Sequence, residues 1–315
     1  MQPATNISFV TERPSFSATL KTYYELTKPG IVYGNAITAT AGFFLASAGH
    51  PHIGLLLLAM VGGLSLTIAS GCVFNNYLDR DIDCQMARTQ ERPFARGTIA
   101  TPTALIYGAL LGIGGLSILF WYVNPLAGAC ALFGFVVYVF VYSMWAKRHT
   151  HYAMQLGAIA GAMPPVVGYV AVTHQLDIAA LMLFLLLFSW QIPHFFAIAL
   201  YRIDDYRSAD IPVLPAQRTL RETQIHMLLY LIVFIFTAYA FFMLGNTGIG
   251  YALGVLPLGG LWLWLAVSGF TTHDTKRWAR YMFLVSLIVL LGVSAGLSLD
   301  ARTPPAHAAA LLGLT

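Results

Sequence analysis

Polar residues fall in clusters along this sequence, and between the clusters run long, almost wholly apolar stretches. Nine stretches approach the roughly 20 residues that a helix needs to cross bilayer hydrocarbon. They cover about 31–48, 53–74, 101–121, 125–143, 152–173, 178–200, 225–244, 249–270 and 281–299. The first is the most polar, with Asn35, Thr38 and Thr40. Poor alternation of apolar and polar residues argues against lipid-facing strands. The expected fold is all-α, a polytopic membrane protein of nine transmembrane helices. Pro164-Pro165 should kink or interrupt the fifth span. Glycine pairs four apart (Gly30/Gly34, Gly108/Gly112, Gly157/Gly161, Gly250/Gly254) are expected to let helices approach closely.

Composition supports the same reading. Of 315 residues, 58% are hydrophobic and 10% charged, against about 25% charged in a soluble domain. A soluble enzyme and a disordered chain are both excluded. A net charge of +4 argues against a nucleic-acid binder. The cysteines Cys72, Cys84 and Cys130 are scattered and form no disulfide framework.

Sixteen of the 17 Lys and Arg residues fall in the N-terminal segment and the loops near 75–100, 144–151, 201–224 and 271–280. Only Arg302 falls on the opposite side. The positive-inside rule then puts the N-terminus in the cytoplasm and the C-terminus outside, with an odd number of spans. The expected organisation is a cytoplasmic segment 1–29, one transmembrane domain 30–300 and an outer tail 301–315. Residues 1–29 mix acids and bases, unlike a signal or transit peptide. A bacterial inner membrane is the expected location, with targeting carried by the first span. The two long inner loops sit four spans apart and both carry acids, the pattern of two similar halves.

The chemistry concentrates in Asn75–Asp83, which continues the second span. On a continuing helix each four-residue step turns only about 40° past a full circle and rises about 6 Å. Asn75, Asp79 and Asp83 therefore share a face. Three oxygen-bearing side chains in a row suit Mg²⁺, which takes one or two carboxylates, substrate phosphates and water. Asp81 points away and should pair with an arginine. Arg88, Arg92 and Arg96 follow and can meet phosphate oxygens. Acids at a membrane boundary are costly and tend to be functional. A second cluster, Asp204, Asp205 and Asp210, offers ligands for a second Mg²⁺. Lys147 and Arg148, at the inner end of the fourth span, are either topogenic charges or phosphate contacts. His194, in Trp190–Phe195, either bonds a neighbouring helix, ligates a haem iron or shuttles a proton.

These residues resemble the UbiA superfamily of intramembrane prenyltransferases. Its NxxxDxxxD motif is matched by Asn75, Asp79 and Asp83, with Asn76 where many members have Asp. The closest resemblance is to the protohaem IX farnesyltransferase (haem O synthase) subfamily. It rests on Leu26–Pro29 with Asn35, on Asn75–Asp83 with Arg88-Thr89 and Arg92-Pro93, and on Tyr142 with Lys147-Arg148. Pro164-Pro165, Trp190-Gln191, Pro193–Phe195, Asp205-Tyr206 and Ile211–Pro215 extend it. The second DxxxD common in the superfamily is broken, since Ala209 stands four after Asp205.

The resemblance implies nine helices around a central cavity open to the inner face and to lipid. It implies farnesyl transfer from farnesyl diphosphate to a vinyl group of haem B, with water addition, giving haem O and diphosphate. Mg²⁺ would be held by Asn75, Asp79, Asp83 and Asp205, with Asp210 beside them. Arg88, Arg92, Lys147 and Arg148 would take the diphosphate, and His194 the haem. Membrane lipid, haem A synthase and the terminal-oxidase assembly are the implied partners. Besides a purely structural subunit of an oxidase complex, two other readings stay open. One is a prenyltransferase for another aromatic acceptor (4-hydroxybenzoate, a naphthoate or a chlorophyll-like ring). The other is a cation-coupled transporter, disfavoured because the acids lie at one face rather than at the midplane.

Overall fold

The computed structural model describes residues 15–48 and 53–303. The outer loop at 49–52 with its His50 and His52, Arg13, and most of the 301–315 tail lie outside the described residues.

Ten helices carry the architecture. The short α1 (Phe16–Leu26) is capped by the Ser15 side chain, which accepts from the Ala18 N–H. The sequence reading had no helix there, because 11 residues of mixed polarity resemble no span. Next come α2 (Pro29–Ala46) and α3 (Gly54–Leu78). They are followed by α4 (Thr101–Val123), α5 (Pro125–His149), α6 (Ala153–Thr173), α7 (Ile178–Tyr201), α8 (Leu220–Met243), α9 (Ile249–Thr271) and α10 (Thr275–Leu299). The eight helices α3–α10 are long and apolar enough to cross a membrane. The ninth expected span is α2, 18 residues long, whose Asn35, Thr38 and Thr40 lower its apolar content. The chain is a multi-pass integral membrane protein.

The helix starts follow from capping chemistry. Asn124 caps α5 by accepting from Ala127 N–H at 2.8 Å, with Pro125 in the first turn. Asp177 caps α7, Asp274 caps α10, and Thr219 with Glu222 forms a reciprocal capping box on α8. As expected, α6 is interrupted, at Ala162 just before Met163-Pro164-Pro165.

The helices close into a ring. α3 lies along α4, α2 along the second half of α6, α7 between α8 and α10, and α10 returns to α2. Of the glycine pairs, Gly108 and Gly112 face Val73 and Ser70, and Gly157 and Gly161 face Tyr142 and Gln191. Gly30, Gly34 and Gly254 have open space where a Cβ would stand, so those two pairs are not the helix contacts expected of them. The tightest backbone approach is elsewhere, where Gly168 on α6 meets the Ala39 carbonyl of α2 and Gly42 on α2 meets the Pro165 carbonyl of α6.

The loops rich in basic residues gather at one end of the ring. Arg148 pairs with Asp81 at 2.7 Å, Lys276 with Asp204 at 2.6 Å, and Ser208 Oγ donates to the Gln85 carbonyl at 3.0 Å. The last contact joins the two long acidic loops. At the opposite end Arg302 N–H donates to the Asn246 carbonyl at 2.8 Å.

Candidate active site

A cavity of about 500 Å³ is enclosed by α2, α3, α5, α6, α7 and α10. That is within the usual range of small-molecule sites, about 300–1,000 Å³. Much of its wall is apolar, with Leu64, Ile68, Leu187, Phe195, Leu287 and Leu290. Lys28, Asn75, Asp79, Asp83, Arg88, Arg92 and Lys147 also line it, and they come together at the basic end of the ring. The chamber is therefore ionic at one end and oily elsewhere, the shape of a site for a greasy molecule with a charged head.

The acid row is as its spacing predicts. α3 ends at Leu78, yet the four-residue backbone bonding continues through the break. Asp79 N–H donates to the Asn75 carbonyl at 2.9 Å, and Asp83 N–H to the Asp79 carbonyl at 2.8 Å. Asn75, Asp79 and Asp83 are 3%, 1% and 2% exposed, and all three line the cavity.

Each of the three meets one cation, two of them from distant segments and one from the same loop. Asn75 Oδ1 accepts from Lys28 Nζ, and Asp79 Oδ2 accepts from Lys147 Nζ at 2.6 Å. Both oxygens of Asp83 accept from Arg92, at 2.9 and 2.8 Å. Asn75 Nδ2 donates to Asp79 Oδ2 at 2.9 Å and to Ser143 Oγ at 2.8 Å, which fixes the amide orientation and aims Oδ1 at Lys28. Asp79 Oδ1 is buried and has no hydrogen-bond partner among the described residues. A buried, unpartnered carboxylate oxygen is costly, and it is the atom a divalent cation would satisfy. Among the described residues no group of three or more His, Cys, Asp or Glu is placed to hold a metal. Two carboxylates and an amide do fit Mg²⁺, which takes the rest of its shell from phosphate and water.

Two backbone departures supply the partners. Lys28 has a left-handed backbone, φ 50°, at the corner between α1 and α2. Asn76 Nδ2 donates to the Leu26 carbonyl at 2.8 Å and ties that corner to α3. Burial, then the nearby Arg92 guanidinium, lowers the Lys28 pKa to about 8. Second, residues Val137–Ala146 of α5 form a π-helix, a rare geometry frequent at functional sites. Ser143 Oγ donates to the carbonyl of Tyr138, five residues back, at 2.8 Å. Tyr138 and Tyr142 stack with centroids 5.9 Å apart, and both rings line the cavity.

Three expected site residues are placed differently. Arg148 does not line the cavity: it grips Asp81 with both Nη atoms at 2.7 Å and donates to the Leu78 carbonyl at 2.7 Å. That pair holds the Asp81 carboxyl down at about 2. Asp210 is exposed, on a left-handed turn with φ 49°. Asp205 is half-buried and carries a buried, unpartnered Oδ2, but it is its neighbour Tyr206 that lines the cavity. Of the second cluster none of the three carboxylates lines the chamber itself. Asp204 is taken by Lys276.

Arg88 lines the cavity and has no salt bridge among the described residues. A variant pair separates it from Arg148. Arg88→Gln should raise KM for the prenyl diphosphate about tenfold, since a hydrogen bond to a charged group contributes about 1.5–3 kcal/mol. Arg148→Gln should leave that KM within about twofold and lower stability by under about 1 kcal/mol, because its ion pair is solvent-exposed. Steady-state kinetics and thermal melting check both.

His194 lines the cavity from α7, away from any carboxylate contact. Its ring stacks on Trp190, centroids 4.6 Å apart, and its Nδ1 is 2.7 Å from Ser286 Oγ on α10. Lys28, Ser143 and Ser286 were not singled out as site residues by sequence reasoning. Only Lys28 carried a signal, its place in Leu26-Thr27-Lys28-Pro29.

The chain matches the UbiA prenyltransferase family over residues 35–288. It is 42% identical over 285 residues to protoheme IX farnesyltransferase 2 of Pseudomonas fluorescens, covering 90% of this chain and 96% of the relative. A solved digeranylgeranylglyceryl phosphate synthase superposes with a TM-score of 0.73 at 18% identity, covering 89% of this chain and 98% of that one. A UbiA homologue from Archaeoglobus fulgidus, solved with DMAPP and Mg²⁺, gives 0.62 at 15% identity, covering 88% and 99%.

Proposed function

Because this chain belongs to the UbiA prenyltransferase family, we propose that it transfers the farnesyl group of farnesyl diphosphate to a vinyl group of haem B. Water adds, and haem O and diphosphate leave. The observation that carries this reading is the joining, in one cavity, of a buried ionic row to an apolar chamber that contains a histidine. The similarity to a named haem farnesyltransferase supports haem as the acceptor.

Asn75, Asp79 and Asp83 would hold Mg²⁺, with the unpartnered Asp79 Oδ1 as its first anchor. When bound, the ion supplies positive charge against the leaving diphosphate. Lys28, Arg88, Arg92 and Lys147 supply four more cations at the same end and hold the diphosphate as its bond to the farnesyl C1 breaks. The apolar wall keeps bulk water from the allylic cation. Tyr138 and Tyr142 line the same chamber, where aromatic rings stabilise a cation. The haem vinyl attacks C1, one water molecule bonds to the resulting benzylic-type carbon, and its proton leaves. The site lies at the end that carries most of the Lys and Arg, which supports a cytoplasmic position for it and for the N-terminus, in a bacterial inner membrane. Haem A synthase and the oxidase assembly are the natural consumers of the product.

The test is haem extracted from cells that express the chain or an Asp83→Asn variant. A haem O peak should depend on the parent and vanish with the variant. If haem O is absent with the parent while another aromatic acceptor is prenylated, the acceptor assignment fails and prenyl transfer survives.

A further inference from the structure

We propose that His194 binds the iron of the haem substrate through Nε2, and that Ser286 is the positioning residue that gives the imidazole the required tautomer. The inference rests on the haem reading above and deepens it.

The argument is a proton count. Ser286 Oγ carries one hydrogen. It lies 2.6 Å from the Phe283 carbonyl oxygen, which can only accept, so the hydroxyl hydrogen is spent there. The contact between Ser286 Oγ and His194 Nδ1 at 2.7 Å must then be donated by the imidazole. Neutral His194 therefore carries its proton on Nδ1 and a lone pair on Nε2. Nε2 makes no hydrogen bond among the described residues, while the residue lines the cavity. A histidine whose far nitrogen is pinned by a hydrogen bond is the usual form of a metal ligand.

The ring's direction is fixed as well. Trp190 stacks on it, Phe283 lies 5.1 Å away on the adjoining helix, and Phe195 approaches at 5.5 Å. Trp190 Nε1 donates to the Ser286 carbonyl at 2.9 Å, so α7 and α10 are joined at the residue that orients the imidazole. Among the described residues no carboxylate hydrogen-bonds His194, and its Ser286 partner is itself committed to the Phe283 carbonyl. A rigid, aromatic-walled imidazole with an open Nε2 suits a flat iron porphyrin better than a proton shuttle.

The experiment is titration of the purified full chain, in nanodiscs, with ferric haem B, read by optical and electron paramagnetic resonance spectra. The parent should give a histidine-ligated spectrum. His194→Ala should lose it and weaken haem binding at least about tenfold, with added imidazole restoring the signature. Ser286→Ala should keep the haem but weaken the complex about tenfold or more, and Ser286→Thr should restore it. An unchanged spectrum in His194→Ala, with haem still bound, overturns the ligation and leaves the haem reading intact. Lost turnover with an unchanged spectrum overturns it too, and assigns His194 to proton transfer. Absence of haem binding by the parent overturns both the ligation and the acceptor assignment.

Discussion

Asp79→Asn is expected to cut haem O formation by roughly a thousandfold, the scale seen when a preorganised charge-stabilising group is removed. The substitution keeps the shape of the side chain and removes its charge. It acts at the atom best placed for a metal, since Oδ1 is buried and unpartnered while Oδ2 takes both Lys147 Nζ and Asn75 Nδ2. A second consequence is structural. The Lys147 side chain is 14% exposed and that of Asp79 is 2% exposed, so the variant leaves a largely buried ammonium without its counter-charge. Breaking such a pair costs about 3–5 kcal/mol. The two effects separate in the double variant Asp79→Asn/Lys147→Gln. Melting temperature should recover there, while haem O stays absent. Turnover that persists in stable Asp79→Asn protein would remove the metal from the reaction.

The fold and the acid row were legible in the sequence for the same reason: both are local. Span length and apolarity are set by bilayer thickness. The alignment of Asn75, Asp79 and Asp83 is set by helix pitch, and it survives the end of α3 because the four-residue bonding carries on. What the sequence hid is long-range pairing. Lys28 and Lys147 reach their partners from 47 and 68 residues away. Asp81 was expected to find an arginine, and does, but Arg148 is spent in doing so. The π-helix of α5 has no sequence signature, although it is what brings Ser143 to Asn75. The Asp204–Asp210 cluster divides in the fold, because charge density alone does not say which carboxylates are already paired; Asp205 keeps a buried, unpartnered oxygen. Asp204 is taken by Lys276, and Asp210 sits on an exposed turn.

Gly168→Ala is expected to destabilise the protein by about 3 kcal/mol or more, at or beyond the top of the usual range for overpacking. A Cβ on Gly168 would stand 1.9 Å from the Ala39 carbonyl oxygen, and one on Gly42 would stand 2.0 Å from the Pro165 carbonyl oxygen. These obstacles are backbone, so no side-chain rotation relieves them. α2 would have to move away from the second half of α6. Asn35 and Thr38 on α2, and Met163 and Pro164 on α6, all line the cavity, so the chamber would open where its wall is now tight. Activity should fall with stability. The control is Gly34→Ala, on the facing helix α2, where no atom lies within 4 Å of the new methyl. Alanine there should be neutral or stabilise by about 0.5–1 kcal/mol, since glycine loses more backbone entropy on folding. Thermal melting of the two variants in one detergent decides the matter. Equal melting temperatures would mean that the backbone contact between α2 and α6 does not hold the chamber together.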